Sequence, residues 1–390
     1  MRTVAVVGGS LAGLSSVRAL RTQGFDGRIV VVGDEPHRPY DRPPLSKEFL
    51  AGKVTAADIA LEDDDEGLEA EWLLGVRAAR LDLAERSVVL ADGARVRVDG
   101  LVIATGARAR DLAGSRGLAG IHTLRTLDDA LALRTELEPG RRLVVIGAGF
   151  IGAETASTAS ALGLDVTIVE AMATPLAGPL GPQMGAVVGS LHADHGVRLL
   201  CGTGVRRFTG AGRVDGVELD DGRILPADVV LVGVGAQPNV EWLQGSGLVV
   251  RNGVVCDAGG MTSVAGVVAV GDCAAWHDNR LARPHRVEHW AGALDRPKRA
   301  VTTLLSGNSA GPDVPPPYFW SDQYDVRIQF AGHAANGDVV TVEEGDPADR
   351  SFLAVYRRGD EPAAVLGMNQ PRAFTRWRRA LAAAPVPAAT

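Results

Sequence analysis

The sequence predicts an α/β protein: two parallel-sheet units flanked by helices, followed by a smaller third α/β unit. Three observations carry this. A glycine-rich strand–turn–helix stands near the start, a fuller copy spans 142–171, and the proline-rich stretch "GPDVPPP" (311–317) precedes new strand-like runs.

The first unit opens with "TVAVV" (3–7), a β-branched, fully apolar run suited to a buried parallel strand. "GGSLAG" (8–13) follows, with Leu11, Leu14, Val17 and Leu20 at helical spacing. "RIVVVGDE" (28–35) is a second apolar strand ending in acids, and Glu35 falls about 20 residues past the glycines. This order is a Rossmann-like dinucleotide-binding pattern: Gly8, Ala12 and Gly13 shape the turn, and Glu35 is placed for a ribose hydroxyl. The glycines let backbone N–H groups reach a pyrophosphate at the helix N-terminus. Ser10 replaces the middle glycine. Serine is the smallest hydroxyl residue, and its Oγ could donate to a phosphate oxygen. A glycine-rich turn without a ligand is the alternative for this segment alone.

The second unit reads "RLVVIGAGFIGAETASTASALGLDVTIVEA" (142–171): strand, turn, helix, strand. Gly147, Gly149 and Gly152 match the pattern fully, and "VTIVE" ends at Glu170. Two dinucleotide sites on one chain point to electron transfer between two nucleotides. Glu170 can accept from a ribose 2′-OH and would repel a 2′-phosphate. "AMATPLAGPLG" (171–181) supplies no Arg or Lys to neutralise one. The expectation is NADH rather than NADPH.

Composition narrows the class. A net charge of −7 argues against nucleic acid as the whole-chain partner. The 3 cysteines, Cys201, Cys256 and Cys273, form no CxxC pair, which fits a reducing, cytoplasmic setting. "VAVV" is too short for a signal-peptide core, and no apolar run reaches the roughly 20 residues of a membrane span. No metal site is expected: His192/His195 and His285/His289 lack a third ligand at suitable spacing and read as surface histidines.

Further stretches carry a resemblance: "YDRPPLSK" (40–47), "LVIATGARAR" (101–110), "LVGVGAQPNVEWL" (231–243), "VVAVGDCAAW" (267–276), "RVEHWAGA" (286–293) and "PYFWSDQYDVRIQFAGH" (317–333). Together with the fingerprints, they resemble NADH-dependent, FAD-containing ferredoxin reductases of the putidaredoxin reductase type, within the pyridine nucleotide-disulfide oxidoreductase superfamily. The resemblance covers nearly the whole chain. It implies a glutathione reductase-like architecture: an FAD domain at 1–108 and 236–315, an NAD domain at 109–235, and a C-terminal α/β domain at 316–390 with a disordered tail "AAAPVPAAT".

The resemblance also implies roles. Lys47 would lie at the reactive edge of FAD, where a cation stabilises negative charge, and Glu154 beside the nicotinamide, pairing with Lys47 when the cofactor docks. Arg42 would meet an FAD phosphate, Asp272 a ribityl hydroxyl, and Val76 and Arg125 other parts of FAD. Trp290 would open a helix beside the flavin ring, and Gly233 and Gly235 would approach the nicotinamide. Trp320 would face the iron–sulfur partner. The alternatives are a surface Lys47 and Arg42, a turn-forming Asp272 and core packing for Trp320. Asp295 and Pro297 depart from the family's Gln-Gly-like pair, and a proline deep in a helix costs about 3 kcal/mol.

The implied function moves electrons from NADH through FAD to an iron–sulfur ferredoxin serving a cytochrome P450 or a dioxygenase. A rubredoxin reductase or a nitrite-reductase electron-transfer component would look alike. A disulfide reductase would need a cysteine near the flavin in the first unit, and the first cysteine is Cys201. An apoptosis-inducing-factor-like interaction protein is the alternative of another class. The ferredoxin, acidic as a class, would dock on Arg372, Arg376, Arg378 and Arg379, helped by "RLARPHR" (280–286) and "RPKR" (296–299).

Overall fold

A computed structural model describes residues 1–62, 66–309, 311 and 315–383. Among them are six α-helices: α1 Leu11–Thr22, α2 Leu127–Arg134, α3 Phe150–Ala161, α4 Ala177–Asp194, α5 Trp290–Ser306 and α6 Pro371–Ala383. The expected tail falls outside the described residues except for Ala382 and Ala383, which close α6.

The first fingerprint builds a five-stranded parallel sheet ordered Val267–Ala269, Gly100–Ile103, Thr3–Val7, Arg28–Gly33, Ala70–Leu74. The second builds another, ordered Arg198–Cys201, Asp165–Glu170, Arg142–Ile146, Val229–Val232, Ile121–His122. Both fingerprint strands therefore lie centrally, buried on both faces, which is why their runs are apolar at every position after the first residue. Each unit also carries a three-stranded antiparallel insert at the same point of its topology, Ala78–Arg97 and Val205–Pro226.

The chain crosses between the two sheets through one antiparallel ribbon, in which Ala107–Ala109 pairs with Ala236–Pro238. Residues 108 and 236, where the sequence places its boundaries, lie in that ribbon. A further four-stranded sheet contains Ala274–Asp278 and Arg283–Arg286 as a hairpin.

The third unit is a five-stranded antiparallel sheet ordered Tyr318–Gln323, Val326–Gly332, Glu361–Met368, Ser351–Arg358, Val339–Asp346. One face buries Phe374 and Leu381 of α6 against Leu353, Val355 and Val365. The other packs Ile328, Phe352 and Tyr356 on Met184, Val188 and Leu191 of α4. The C-terminal sheet is thus pinned to the second unit, and its first strand reaches the mouth of the cleft described below.

α5 starts at Trp290 and runs on through Pro297. The lost N–H costs about 3 kcal/mol. Burial of Pro297, Ala300, Val301 and Leu304 offsets it, while Asp295 is exposed.

Candidate functional site

The carboxyl ends of both parallel sheets open onto one cleft of about 710 Å³. Each fingerprint turn contributes a wall. Gly8 has φ 128°, and a Cβ there would sit 2.0 Å from Ala104 O; at Gly147 the values are 98° and 2.3 Å, from Gly233 O. Cβ atoms at Gly13 and Gly152 would sit 1.9 and 2.2 Å from the carbonyls of Gly8 and Gly147. These four positions accept only glycine, because strand, turn and helix close on one another there.

The two middle positions behave differently. Gly149, at the N-terminus of α3, has nothing within 4 Å of its missing Cβ and faces the cleft. Ser10 holds the equivalent place on α1; it lines the cleft, and its side chain makes no capping hydrogen bond. A hydroxyl therefore fits where the pattern has glycine, and it is left uncommitted to the helix. Both helix N-termini present unpaired N–H groups to the cleft.

Glu170 closes the second fingerprint. It lines the cleft with its Oε2 accepting from Ala148 N–H at 2.8 Å and its Oε1 from Met172 N–H at 2.8 Å. Glu35, its counterpart, instead accepts from the Tyr40 hydroxyl and from Arg42 Nη2 at 2.5 Å. Arg42 also donates to Arg125 O at 2.5 Å, and Arg125 pairs with Asp272. Arg42, Arg125 and Asp272 line the cleft on the Ser10 side, whereas Glu35 stands behind Arg42. Val76 is outside the lining; it packs on the first core and donates its N–H to Gly33 O.

The two halves meet at a buried pair. Lys47 Nζ donates to Glu154 Oε2 at 2.8 Å, with side chains 14% and 4% exposed. Lys47 and Glu154 are the two residues that the resemblance pairs. Glu154 is over-held: Ser46 Oγ donates to its Oε2 at 2.5 Å and Ser321 Oγ to its Oε1 at 2.7 Å. Gln323 Nε2 donates to Ser321 Oγ at 3.0 Å. Lys47 and Ser46 follow strand Arg28–Gly33 of the first sheet, Glu154 rides on α3 and Ser321 belongs to the third unit. Sequence reasoning missed Ser46 and Ser321; both sit in quoted motifs, yet nothing in the sequence pairs them with Glu154.

Aromatic side chains line the opposite wall. Trp290, whose indole N–H donates to Asp41 Oδ1 at 2.7 Å, meets Trp320 edge-on at 5.7 Å between centroids. Trp320 stacks on Tyr318 at 6.1 Å, and the Arg378 guanidinium lies 4.0 Å over the Tyr318 ring. Trp290, Trp320 and Gly235 line the cleft; α6 carries Arg378 on the far side.

Two expectations are corrected. Among the basic residues expected to help docking, Arg286 is turned to Asp272 O and Glu288, and Arg296 is partly buried over the Trp276 ring at 5.2 Å. Among the expected surface histidines, His192 is 2% exposed and hydrogen-bonds the Tyr324 hydroxyl at 2.8 Å, because α4 is sandwiched under the third unit. His195 stacks on Tyr324 at 4.4 Å. The free thiols Cys256 and Cys273 are buried, and no cysteine lines the cleft.

A cleft with two helix N-termini, the Glu170 carboxylate at the end of the second fingerprint and a cation between them defines a two-nucleotide flavoenzyme. The chain belongs to the pyridine nucleotide-disulphide oxidoreductase family, whose profile matches residues 2–296, and the reductase C-terminal profile matches 318–390. It is 41% identical over 376 residues to the biphenyl dioxygenase system ferredoxin–NAD(+) reductase component of Paraburkholderia xenovorans, covering 96% of this chain and 91% of that one. It is 36% identical to putidaredoxin reductase of Pseudomonas putida, covering 96% and 90%. Among solved structures, the covalent putidaredoxin reductase–putidaredoxin complex superposes with a TM-score of 0.93 at 35% identity, covering 98% and 93%.

The chain is accordingly an oxidoreductase of the FAD- and NADH-using kind. The cleft fits both groups on its own features: the uncommitted Ser10 hydroxyl, the open face of Gly149 and the carboxylate of Glu170. No helix among the described residues is long and apolar enough to cross a membrane.

Proposed function

We propose that this protein takes electrons from NADH and hands them to an iron–sulfur ferredoxin that serves a cytochrome P450 or a dioxygenase. The observation that carries the reading is the single cleft into which both fingerprint turns open, bridged by Lys47 and Glu154. FAD bound there would accept a hydride and release its electrons singly, the step a ferredoxin needs.

The chain's own residues position and balance charge. The α1 terminus and Ser10 would hold the FAD pyrophosphate, with Arg42 and Arg125 as nearby cations. Asp272, oriented by Arg125, would meet the ribityl chain. The α3 terminus and Glu170 would hold NADH. Lys47 would place positive charge beside the reacting atoms, and Glu154 would keep that ammonium aimed. The start of α5 at Trp290 would put helix N–H groups beside developing negative charge.

Electron exit would follow Trp320. Its line of aromatic neighbours, from Trp290 to Tyr318, ends beneath Arg378. On α6, Arg372, Arg376 and Arg379 are exposed at i, i+4 and i+7 spacing, and Arg376 also pairs with Glu344. This cluster would steer an acidic ferredoxin. We also take the domain limits 1–108 with 236–315, 109–235 and 316–390 as the working division, supported by sheet membership, and the cytoplasm as the compartment, supported by the three free thiols.

The test is NADH-driven cytochrome c reduction with and without added ferredoxin. Turnover that requires the ferredoxin supports the reading; turnover indifferent to it overturns it. In Trp320→Ala, ferredoxin reduction should slow about tenfold while flavin reduction by NADH holds; if neither step changes, the exit assignment fails.

A further inference from the structure

Away from the cleft, folding joins three side chains that the sequence keeps apart. Asp278 and His285 lie diagonally across the hairpin Ala274–Asp278/Arg283–Arg286, in which Asp278 pairs with Arg283 and His285 with Trp276, and His333 follows strand Val326–Gly332 of the third unit. Their ligand atoms all lie within 4.8 Å of one another. His333 Nε2 is 2.8 Å from Asp278 Oδ2 and His285 Nδ1 is 3.9 Å from the same oxygen. The two imidazoles approach at 5.1 Å between centroids.

The carboxylate is oriented for this. Asp278 Oδ1 accepts the N–H groups of Arg280 and Leu281 at 2.9 and 3.1 Å, which fixes the plane and leaves Oδ2 to the histidines. The ring atoms facing it are unsatisfied: His285 Nδ1 and His333 Nε2 are buried, and neither has a hydrogen bond of good geometry among the described residues. Buried nitrogens of this kind ordinarily find a partner. The side chains themselves are 29%, 17% and 11% exposed for His285, Asp278 and His333, so an ion could enter and a water could complete its shell.

We propose that Asp278, His285 and His333 form a binding site for a divalent transition-metal ion of the zinc class. Two imidazoles and one carboxylate suit zinc, which takes nitrogen and oxygen ligands at about 2.0–2.1 Å and accepts three protein ligands plus water. That set excludes magnesium and calcium, which need more oxygens. Tetrahedral bonds of this length separate ligand atoms by about 3.3 Å, so the cluster must close by rotamer shifts of about 1 Å. Arg296 interacts electrostatically with Asp278, and that positive charge weakens binding of a cation. The site clasps the hairpin to the third unit. It lies outside the electron-transfer reading and stands or falls separately from it.

The experiment is equilibrium dialysis of the flavin-loaded protein against zinc chloride, with bound metal counted by mass spectrometry. The expected result is one zinc per chain, lost by about a hundredfold in affinity in His333→Ala and in His285→Ala. His285→Ala removes the looser contact on a hairpin edge and leaves the Asp278–His333 contact, so it guards against a folding artefact. Thermal melts of the parent should rise with zinc, and those of both variants should not. Less than a tenth of an equivalent bound, or equal binding by parent and variants, overturns the proposal and leaves the cluster a plain His–Asp contact.

Discussion

Ser321→Ala isolates the hydroxyl that ties the third unit to the buried carboxylate. Ser321 and Gln323 are 0% and 1% exposed, and Ser321 Oγ reaches Glu154 Oε1 at 2.7 Å. A hydrogen bond to a charged group contributes about 1.5–3 kcal/mol. Alanine removes it and strands the Gln323 amide, whose Oε1 already has no partner among the described residues. Glu154 keeps Lys47 and Ser46 on its other oxygen, so it stays paired but free to swing. If about half the bond's contribution reaches the hydride step, the barrier rises by about 1.4 kcal/mol, and flavin reduction by NADH slows about tenfold. Anaerobic stopped-flow mixing with NADH, followed by flavin absorbance, reads this directly. Flavin content should be unchanged, and Ser321→Thr, which keeps the hydroxyl, should recover most of the rate. A wild-type rate in Ser321→Ala, or an equal defect in Ser321→Thr, would refute the positioning argument.

Other expectations follow from the same geometry. Ser10→Glu sets a charge against the FAD phosphates; one charge pair at about 4 Å and an effective dielectric of about 20 opposes binding by about 4 kcal/mol, so the protein should purify colourless. Gly149→Glu should keep its yellow colour and raise the KM for NADH instead, and a colourless product there would show the two turns are wrongly assigned. Glu170→Ala frees the N–H groups of Ala148 and Met172 and should narrow the preference for NADH over NADPH at least tenfold in kcat/KM; an unchanged ratio counts against its role. Burial, with the His195 charge adding to it, pulls His192 from 6.5 down to about 4. Its contribution is complete above about pH 6.5 and is lost as pH falls towards 4, at most about 3 kcal/mol. His192→Gln should therefore flatten the fall of the unfolding midpoint between pH 6.5 and 4, and a slope as steep as the parent's would exclude it.

The sequence by itself determined the two nucleotide-binding units. Their strands are short, apolar and β-branched, and their turns must be glycine at Gly8, Gly13, Gly147 and Gly152, so local sterics write the fold into adjacent residues. Glu170 was legible for the same reason, since the length of a βαβ unit fixes where its second strand ends. Tertiary structure alone decided what holds Glu154: Ser46 and Ser321 stand 108 and 167 residues away and meet it only because three units pack together. It also turned Arg296 inward, carried α5 through Pro297, buried His192 and gave His285 its neighbours Asp278 and His333. Periodicity and spacing record contacts within a helix or a strand pair. Contacts between units leave no such trace, because their register is set by the fit of whole faces.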